Sequence, residues 1–276
     1  MNVLYAGNYK VFDGVMTSML SILKRTSVTE PFCFYILTMD VSDIKEEYKP
    51  ITDRQIDILS QAAKKYNQEN QIKLIDVTDI YNKEFAGSPN EQCYCSPYTL
   101  IRLFMDMLPD IPDKILYLDA DIMFNRDIAL LYNQDISDYE YAAARDHYGK
   151  YLIYPNYINA GVLLFNMKKC KETGIFGKAR ELIKIKKLTF ADQSAIIRST
   201  TRRKVLPQKF NDQKFLHKST VVRHFSKRLF YLPYPHTENV KQWHIDRMKK
   251  VFGYNQFDDI LDEYLGWKEK LKNEQI

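Results

Sequence analysis

The sequence predicts an α/β protein with a mixed, mostly parallel sheet flanked by helices. Short apolar runs that are typical of buried strands alternate with longer segments whose apolar residues recur at helical spacing. One of these strands runs directly into two aspartates separated by a single residue. The chain has 276 residues, of which 45% are hydrophobic, so it can bury the core of one large domain or two unequal ones. In such folds, ligands bind beyond the carboxyl ends of the strands.

The first predicted elements follow a β-α-β-α-β order, and the alternation continues to the C-terminus. Strands are expected at residues 3–6, 32–37, 72–77, 115–118, 141–144, 161–165 and 221–225. Helices are expected at residues 15–23, 56–66, 100–107, 178–186 and 192–198. From Trp243 onward the chain is aromatic and mixed in charge, which predicts further helices.

Composition excludes several classes of protein. No apolar run approaches the roughly 20 residues that cross a bilayer, and the first residues lack the basic start and apolar stretch of a signal peptide. We therefore expect a cytoplasmic protein. The formal net charge of +5 is modest and no RNA-binding motif occurs, so we expect no nucleic-acid partner. The basic run at residues 202–204 is expected to be a solvated face.

The four cysteines do not predict a zinc site. Cys93 and Cys95 form the one close pair, but they have neither the spacing of a zinc site nor a second pair to complete one. Cys33 and Cys170 stand apart in the sequence. We expect all four to be buried or incidental thiols.

Asp119 and Asp121 directly follow the predicted strand at residues 115–118. Residues two apart in a strand point to the same face, so both carboxylates reach one site if strand geometry continues through them. Converging carboxylates repel unless a cation or proton lies between them. A hard divalent cation such as Mn²⁺ or Mg²⁺ suits their oxygens and would bridge a diphosphate. The alternative is a turn or helix cap that uses a single aspartate.

Two other classes share part of this pattern and fit less well. Haloacid dehalogenase phosphatases also place Asp-x-Asp after a strand, but they continue to Thr or Val where this chain has Met123. Nicotinamide dehydrogenases place Gly-x-Gly-x-x-Gly after the first strand, whereas Gly7 stands alone before Gly14.

Together the motifs resemble glycosyltransferase family 8, a retaining family that includes glycogenin, galactinol synthase and lipopolysaccharide α-galactosyltransferases. The matching segments are residues 4–9 (LYAGNY), 98–104 (YTLIRLF), 113–121 (DKILYLDAD), 157–166 (YINAGVLLFN), 192–193 (DQ) and 222–225 (VRHF). The resemblance implies a single GT-A-type nucleotide-diphospho-sugar transferase fold. Residues 1–240 would be its nucleotide-sugar-binding and catalytic domain, and residues 241–276 a C-terminal helical extension packed on it.

The resemblance also implies three groups of site residues. The ligands of Mn²⁺, or of Mg²⁺, would be Asp119, Asp121 and His224. The residues that bind the nucleotide-sugar donor would be Ala6, Gly7, Asn8, Arg102, Asp119, Ala120, Asp121, Asn159, Ala160, Gly161 and Lys227. The residues at the reacting sugar would be Asp146, Asp192 and Gln193.

Each of three polar residues also has a structural interpretation. A single histidine such as His224 is more often structural than a ligand. Asn159 could equally be a turn residue, and Asp192 could equally be the N-cap of the following helix.

The sequence departs from the family after His224. The family usually continues from this histidine through a glycine to Lys-Pro-Trp, whose lysine contacts the diphosphate. Here residues 224–230 read HFSKRLF without a glycine, and Lys-x-Trp occurs further on at residues 241–243 (KQW). The phosphate contact is therefore open among Lys227, Arg228 and Lys241.

The function implied by the resemblance is Mn²⁺-dependent transfer of a hexose, galactose or glucose, from a UDP-sugar to an acceptor. The acceptor would be a glycan, a lipooligosaccharide or another cell-surface glycan. The favoured route to retention is front-face attack by the acceptor hydroxyl, with the leaving diphosphate taking its proton and Gln193 near the anomeric carbon. The alternative is a non-catalytic nucleotide-sugar-binding protein with the same fold, which would release no UDP.

The C-terminal aromatic and basic residues allow two interpretations. Trp243, Phe252 and Trp267 stand among Lys249, Lys250 and Lys268. Such residues could make a peripheral contact with an anionic membrane at the inner face of the plasma membrane, where a lipid-linked acceptor lies. The alternative, which we favour, is that the aromatics pack the C-terminal helices.

Overall fold

The computed structural model describes residues 1–91 and 96–273. Its strands are β1 (Asn2–Ala6), β2 (Cys33–Thr38), β3 (Gln71–Asp76), β4 (Lys114–Leu118), β5 (Ile122–Phe124), β6 (Tyr141–Ala144), β7 (Val162–Asn166), β8 (Arg203–Leu206), β9 (Val222–His224), β10 (Arg228–Phe230) and β11 (His236–Glu238). Its α-helices are α1 (Phe12–Arg25), α2 (Asp53–Lys64), α3 (Thr78–Phe85), α4 (Ala129–Tyr132), α5 (Gly149–Leu152), α6 (Met167–Thr173), α7 (Ile175–Ile185), α8 (Ala191–Ser199), α9 (Ile245–Phe252) and α10 (Asp258–Asn273).

Within the described residues, seven strands form one mixed sheet in the order β3-β2-β1-β4-β7-β6-β8. β1 is parallel to β2 and β4, β2 is parallel to β3, and β6 is parallel to β8. β7 runs antiparallel to both of its neighbours. The chain moves outward from β1 to β3 and then returns to β4 on the other side of β1. This reversal is the switch point at which α/β sheets bind ligands, and it confirms the predicted fold class.

The centre of the sheet is buried on both faces, as β1 illustrates. Val3 and Tyr5 point into the layer that contains α1, α2 and the C-terminal helices, whereas Leu4 points into the layer that contains α7 and α8. All three side chains are fully buried. A strand covered on both faces reads as a continuous apolar run rather than an alternating one, which is why β1 could be predicted.

Two predicted segments differ from the structure. The helix expected at residues 100–107 is a 3-10 helix, Ile101–Met107. The basic run at residues 202–204 is only partly the expected solvated face: Arg202 is exposed, but Arg203 and Lys204 are half-buried in the edge strand β8. There Arg203 donates hydrogen bonds to the Tyr154 hydroxyl and the Asn156 carbonyl, at 3.2 and 3.1 Å.

The C-terminal helices pack on the sheet domain. Arg25 of α1 forms an ion pair with Asp259 of α10 at 2.7 Å, and Lys268 of α10 forms one with Asp13 of α1 at 2.8 Å. The aromatic side chains Trp243, Phe252 and Trp267 are partly buried against the core.

Of the cysteines, Cys33 is half-buried, Cys170 is buried and both are free thiols. Cys93 and Cys95 lie outside the described residues. Within residues 1–91 and 96–273, no helix combines the length and apolar character needed to cross a membrane.

Candidate functional site

Asp119 and Asp121 lie in the short turn between β4 and β5. Strand geometry does not continue through the two residues, because β4 ends at Leu118. Their main chain is nevertheless held by backbone hydrogen bonds like those between strands. The Asp119 N–H donates to the Gly161 carbonyl and the Phe225 N–H donates to the Asp121 carbonyl, each at 2.8 Å. The turn, rather than the pleat of a strand, brings the two carboxylates together.

His224 reaches the aspartates through a short antiparallel ladder. β9 pairs with β5 so that His224 lies opposite Ile122, one residue after Asp121. Its Nε2 atom lies 3.1 Å from Oδ1 of Asp121 and 4.0 Å from Oδ2 of Asp119. One ligand atom from each of the three residues lies within 4.8 Å of the others. The three side chains can therefore share one cation.

Gly161 allows the imidazole of His224 and the carboxylate of Asp119 to lie close to the backbone and to each other. An added Cβ at this position would lie 2.5 Å from Cε1 of His224 and 2.8 Å from Oδ2 of Asp119. Both distances are far below van der Waals contact, and the histidine is only 3% exposed, so it has little room to move. Glycine is therefore required here by close approach rather than by an unusual backbone angle.

A lysine ammonium lies in contact with Asp121. Nζ of Lys241 is 2.5 Å from Oδ2 of Asp121 and 3.0 Å from the Phe225 carbonyl. Burial alone would raise the pKa of Asp121, but Lys241 and His224 outweigh it and hold this pKa well below its usual range. The surroundings of Asp121 thus favour its ionised form. Two carboxylate oxygens and an imidazole nitrogen are a suitable donor set for a divalent ion such as Mn²⁺.

Arg102 is buried beside Asp119 and connects it to the loop before β7 and to α8. Its Nη2 atom donates to Oδ1 of Asp119 at 3.1 Å, and its Nη1 atom donates to the Ala160 carbonyl at 2.7 Å. Its Nε atom lies 3.2 Å from Oδ2 of Asp192. Burial disfavours the guanidinium charge, but Tyr117, Asp192 and Asp119 together raise the pKa of Arg102. Arg102 therefore fixes the orientation of Asp119.

Asp192 lies in the first turn of α8, and Phe190 precedes that helix as its N-cap, so Asp192 is not the cap residue. Its side chain is buried, and burial raises its pKa while Arg102 partly offsets that effect. Next to it, Oε1 of Gln193 accepts the Ala160 N–H at 2.9 Å.

A cavity of about 430 Å³ opens beside the carboxylates at the ends of β1 and β4. Its lining includes these predicted donor-binding residues: Ala6, Gly7, Asn8, Arg102, Asp119 and Ala120. Residues that follow two adjacent strands therefore meet at the switch point of the sheet.

Asp146 and Asn159 lie on the other side of His224 and are joined by a hydrogen bond. Nδ2 of Asn159 donates to Oδ2 of Asp146 at 2.9 Å. The side-chain oxygen of Asn159 accepts the Gly161 N–H at 3.0 Å. Asn159 is thus a turn residue that also connects the sheet to Asp146.

Of the three basic residues considered for the phosphate contact, the structure brings Lys241 to Asp121. The Lys227 side chain is exposed. Arg228 donates to the Lys214 carbonyl at 3.1 Å and packs over the Phe230 ring.

Sequence reasoning missed two residues of the site. The Tyr117 hydroxyl donates to Oδ1 of Asp119 at 2.8 Å, and its ring packs under Arg102 at 3.9 Å from ring centroid to guanidinium carbon. Its position two residues before Asp119 could have revealed it, since alternate strand residues share a face. Asn211, whose Oδ1 lies 3.0 Å from Nδ1 of His224, gave no signal in the sequence.

Comparison of the sequence with known proteins finds a family and individual relatives. The profile of glycosyl transferase family 8 matches residues 2–220, a range that ends just before His224. A Haemophilus influenzae protein to which glycosyltransferase activity is ascribed is 28% identical over 189 residues. These residues are 65% of this chain and 52% of that protein. The glycosyltransferase GlyE of Streptococcus pneumoniae is 30% identical over 169 residues, which are 60% of this chain and 36% of that protein. The chain thus matches about half or less of the length of these relatives.

The fold is also similar to that of solved glycosyltransferases. The crystal structure of the galactosyltransferase LgtC in complex with donor and acceptor sugar analogs superposes with a TM-score of 0.67. The match covers 95% of this chain and 96% of that one at 20% sequence identity. At this identity the similarity shows a shared GT-A-type fold.

Proposed function

Since the chain belongs to glycosyltransferase family 8, we propose that it is a retaining hexosyltransferase that transfers galactose or glucose from a UDP-sugar to a glycan acceptor. The observation that carries the proposal is the convergence of Asp119, Asp121 and His224, whose ligand atoms lie within 4.8 Å of one another, while Asp119 also lines the switch-point cavity. We propose Mn²⁺ as the bound ion, because this donor set combines carboxylate and imidazole ligands.

The donor would occupy the cavity between the ends of β1 and β4. Its volume of about 430 Å³ is in the range of small-molecule sites. We propose that the uracil and ribose lie against Ala6, Gly7 and Asn8, and that the diphosphate lies at Asp119 and Asp121. The Asn8 side chain is already ordered by bonds to the Lys10 N–H and the Glu47 carbonyl, so this loop needs little reorganisation to bind a ligand.

The diphosphate would be neutralised from two sides. A divalent cation held by Asp119, Asp121 and His224 would stabilise the negative charge on the departing nucleotide. We propose that Lys241, rather than Lys227, supplies the second positive charge. The next residue, Gln242, is fully buried and donates to the Ala120 carbonyl at 2.9 Å. This anchor fixes the backbone that carries Lys241 beside the Asp-x-Asp turn.

Retention would follow from front-face attack. The acceptor oxygen forms a bond to the anomeric carbon as the bond from that carbon to the phosphate oxygen breaks, and the acceptor proton passes to the leaving diphosphate. Asp192 is a poor candidate for a carboxylate nucleophile, because it is buried and engaged with Arg102. Asp146 and Gln193 would instead hold the hydroxyls of the donor sugar by hydrogen bonds.

The acceptor would approach over the hairpin of β10 and β11. The Leu229 N–H donates to the Tyr148 hydroxyl at 3.1 Å, and the Tyr148 N–H donates to Asp146 at 3.0 Å. The hairpin is therefore connected to a proposed sugar-binding residue. Its tip exposes Tyr231 and Tyr234, whose rings can pack against sugar rings. Glycans or lipid-linked glycans are the acceptors that we propose.

Release of UDP from UDP-galactose and UDP-glucose with Mn²⁺ tests the proposal. We expect slow hydrolysis that accelerates when a suitable glycan is added. Asp119→Asn and Asp121→Asn should each lower UDP release by at least about 100-fold, the scale of losing a direct electrostatic stabiliser. Asp138→Asn, at an exposed carboxylate, is the matched control. Normal release by either folded site variant would refute the proposal. Binding of the UDP-sugar without release would indicate the non-catalytic binding protein instead.

A further inference from the structure

A buried asparagine contacts the side of His224 that faces away from the aspartates. Asn211 directly follows the 3-10 helix Gln208–Phe210 and is fully buried. Its Oδ1 atom lies 3.0 Å from Nδ1 of His224, while Nε2 of the same ring lies 3.1 Å from Asp121. The two ring nitrogens therefore have different partners.

The direction of the bond from His224 to Asn211 follows from their neighbours. Nδ2 of Asn159 donates to the Asp146 carboxylate, which accepts hydrogen bonds. The side-chain oxygen of Asn159 therefore receives the Gly161 N–H at 3.0 Å and Nδ2 of Asn211 at 2.9 Å. Asn211 must then present its oxygen to His224, so Nδ1 of the ring carries the hydrogen. We call these four side chains, Asp146, Asn159, Asn211 and His224, the amide relay.

A neutral imidazole with its hydrogen on Nδ1 has its lone pair on Nε2. Nε2 is the atom that faces the two carboxylates, so a divalent cation bound there would replace the proton through which a charged imidazole contacts Asp121. We infer that Asn211 is a positioning residue that fixes the tautomer and ring orientation in which His224 can bind a divalent cation. This inference rests on the proposed function, because it takes the three side chains as metal ligands. Such outer partners of a ligating histidine typically change metal affinity by about 10- to 100-fold.

Within the amide relay, Asn211 acts on His224 separately from Asp119 and Asp121. Asp119 is held by its main-chain bond to Gly161 and by Arg102, and neither bond involves Asn211. Because Asn211 is fully buried, water cannot readily replace its amide group. Removing that amide should therefore leave the carboxylates in place while releasing the imidazole.

Two substitutions distinguish this role from a purely structural one. Asn211→Ala removes both bonds, whereas Asn211→Asp loses the donor to Asn159 but keeps an acceptor for Nδ1 of His224. Calorimetric titration of the full chain with Mn²⁺ in the presence of UDP should show about 10- to 100-fold weaker binding for Asn211→Ala. Asn211→Asp should bind Mn²⁺ at least tenfold more tightly than Asn211→Ala.

Pulsed electron paramagnetic resonance of the bound Mn²⁺ separates this effect from the charge that aspartate adds. We expect nitrogen coupling from His224 in the unsubstituted protein and in Asn211→Asp, and weaker or no coupling in Asn211→Ala. A change of charge alone would alter affinity without this difference in coupling.

Asn70→Ala is the matched control, because Asn70 is also buried and makes two side-chain bonds, to the Phe32 N–H at 2.8 Å and the Ala63 carbonyl at 2.9 Å. It should lose thermal stability but keep Mn²⁺ affinity within twofold. Unchanged affinity in Asn211→Ala, or equal losses in both Asn211 variants, would overturn the inference. Failure of the unsubstituted protein to bind Mn²⁺ with UDP would overturn the proposed function and the inference with it.

Discussion

Gly161 lies against two proposed metal ligands, His224 and Asp119. A substitution at this one residue therefore tests the geometry of the ligands. In Gly161→Ala the new Cβ would lie 2.5 Å from His224 and 2.8 Å from Asp119 and must displace one of them. We expect about 1–3 kcal/mol of destabilisation, as for other overpacked sites, and at least tenfold weaker Mn²⁺ binding. Chemical denaturation and calorimetric titration measure the two effects.

Gly266→Ala is the control for the effect of replacing a glycine with alanine. Gly266 lies in α10, and an added Cβ there would have no atom within 4 Å. This variant should gain about 0.5–1 kcal/mol of stability, since alanine is the better helix former, and bind Mn²⁺ normally. If Gly161→Ala also bound Mn²⁺ normally, the proposed geometry of the ligands would be wrong.

The sequence predicted some residues of the site on local grounds. Asp119 and Asp121 are recognisable because they end an apolar strand, a feature contained in a few consecutive residues. His224 and Asn211 are not. His224 reaches the site through the pairing of β9 with the distant β5, and Asn211 reaches it through side-chain contacts with His224 and Asn159, which lie 13 and 52 residues away in the chain. Resemblance to the family identified His224, whereas nothing identified Asn211.

At the scale of elements, β9 is held in place by Arg223. This side chain is fully buried, donates to the Asp212 carbonyl at 2.8 Å and contacts the rings of Phe225 and Phe252 at 4.9 and 5.5 Å from their centroids. It thereby connects the strand that carries His224 to the end of α9. Arg223→Ala should lower the free energy of unfolding by about 3 kcal/mol, because it leaves a cavity and unpaired buried carbonyls.

Urea denaturation measures this loss. Arg126→Ala provides the comparison, because Arg126 is exposed and such surface changes usually stay within about 0.5 kcal/mol. If both arginine variants had the same stability as the unsubstituted protein, Arg223 would not link these elements.

Long apolar elements were predicted well and short or polar ones were not. β1, β2 and β4 are apolar because both faces of the sheet are covered. β5 has three residues, too few to show a period, and it pairs with the distant β9. β8 begins with two basic residues, which an edge strand tolerates because one side of it meets solvent.

At the scale of the whole molecule, Glu263 joins the C-terminal helix α10 to α1 and to the end of α2. It contacts the Lys24 ammonium at 3.0 Å, the Lys65 ammonium at 2.9 Å and the Tyr66 hydroxyl at 2.8 Å. Burial alone would raise the pKa of Glu263, but these groups outweigh it and lower the pKa from 4.5 to about 2. The folded state therefore favours the ionised carboxylate.

Because the folded pKa lies below the unfolded value, this contact stabilises the protein above pH 4.5 and loses its effect as the pH falls through about 2. Glu263→Gln should thus be less stable than the unsubstituted protein at pH 6, and the difference should shrink towards pH 2.5. Denaturation at both pH values measures it. Glu269→Gln, exposed on the same helix, should show no such trend. A constant difference for Glu263→Gln would contradict the assigned pKa.

The central claim is that a uridine diphosphate and a divalent cation bind together at Asp119, Asp121 and His224. Thermal unfolding of the purified chain tests it directly, with UDP, GDP or no nucleotide, each in Mn²⁺ or in chelator. Ligand at about a hundred times its dissociation constant stabilises a fold by roughly 2.7 kcal/mol, a rise in Tm of roughly 5 °C for a chain of this size. We predict this rise with UDP and Mn²⁺ together, and its absence with GDP, with chelator and in Asp119→Asn. No rise with UDP and Mn²⁺, or an equal rise in chelator, would contradict the claim.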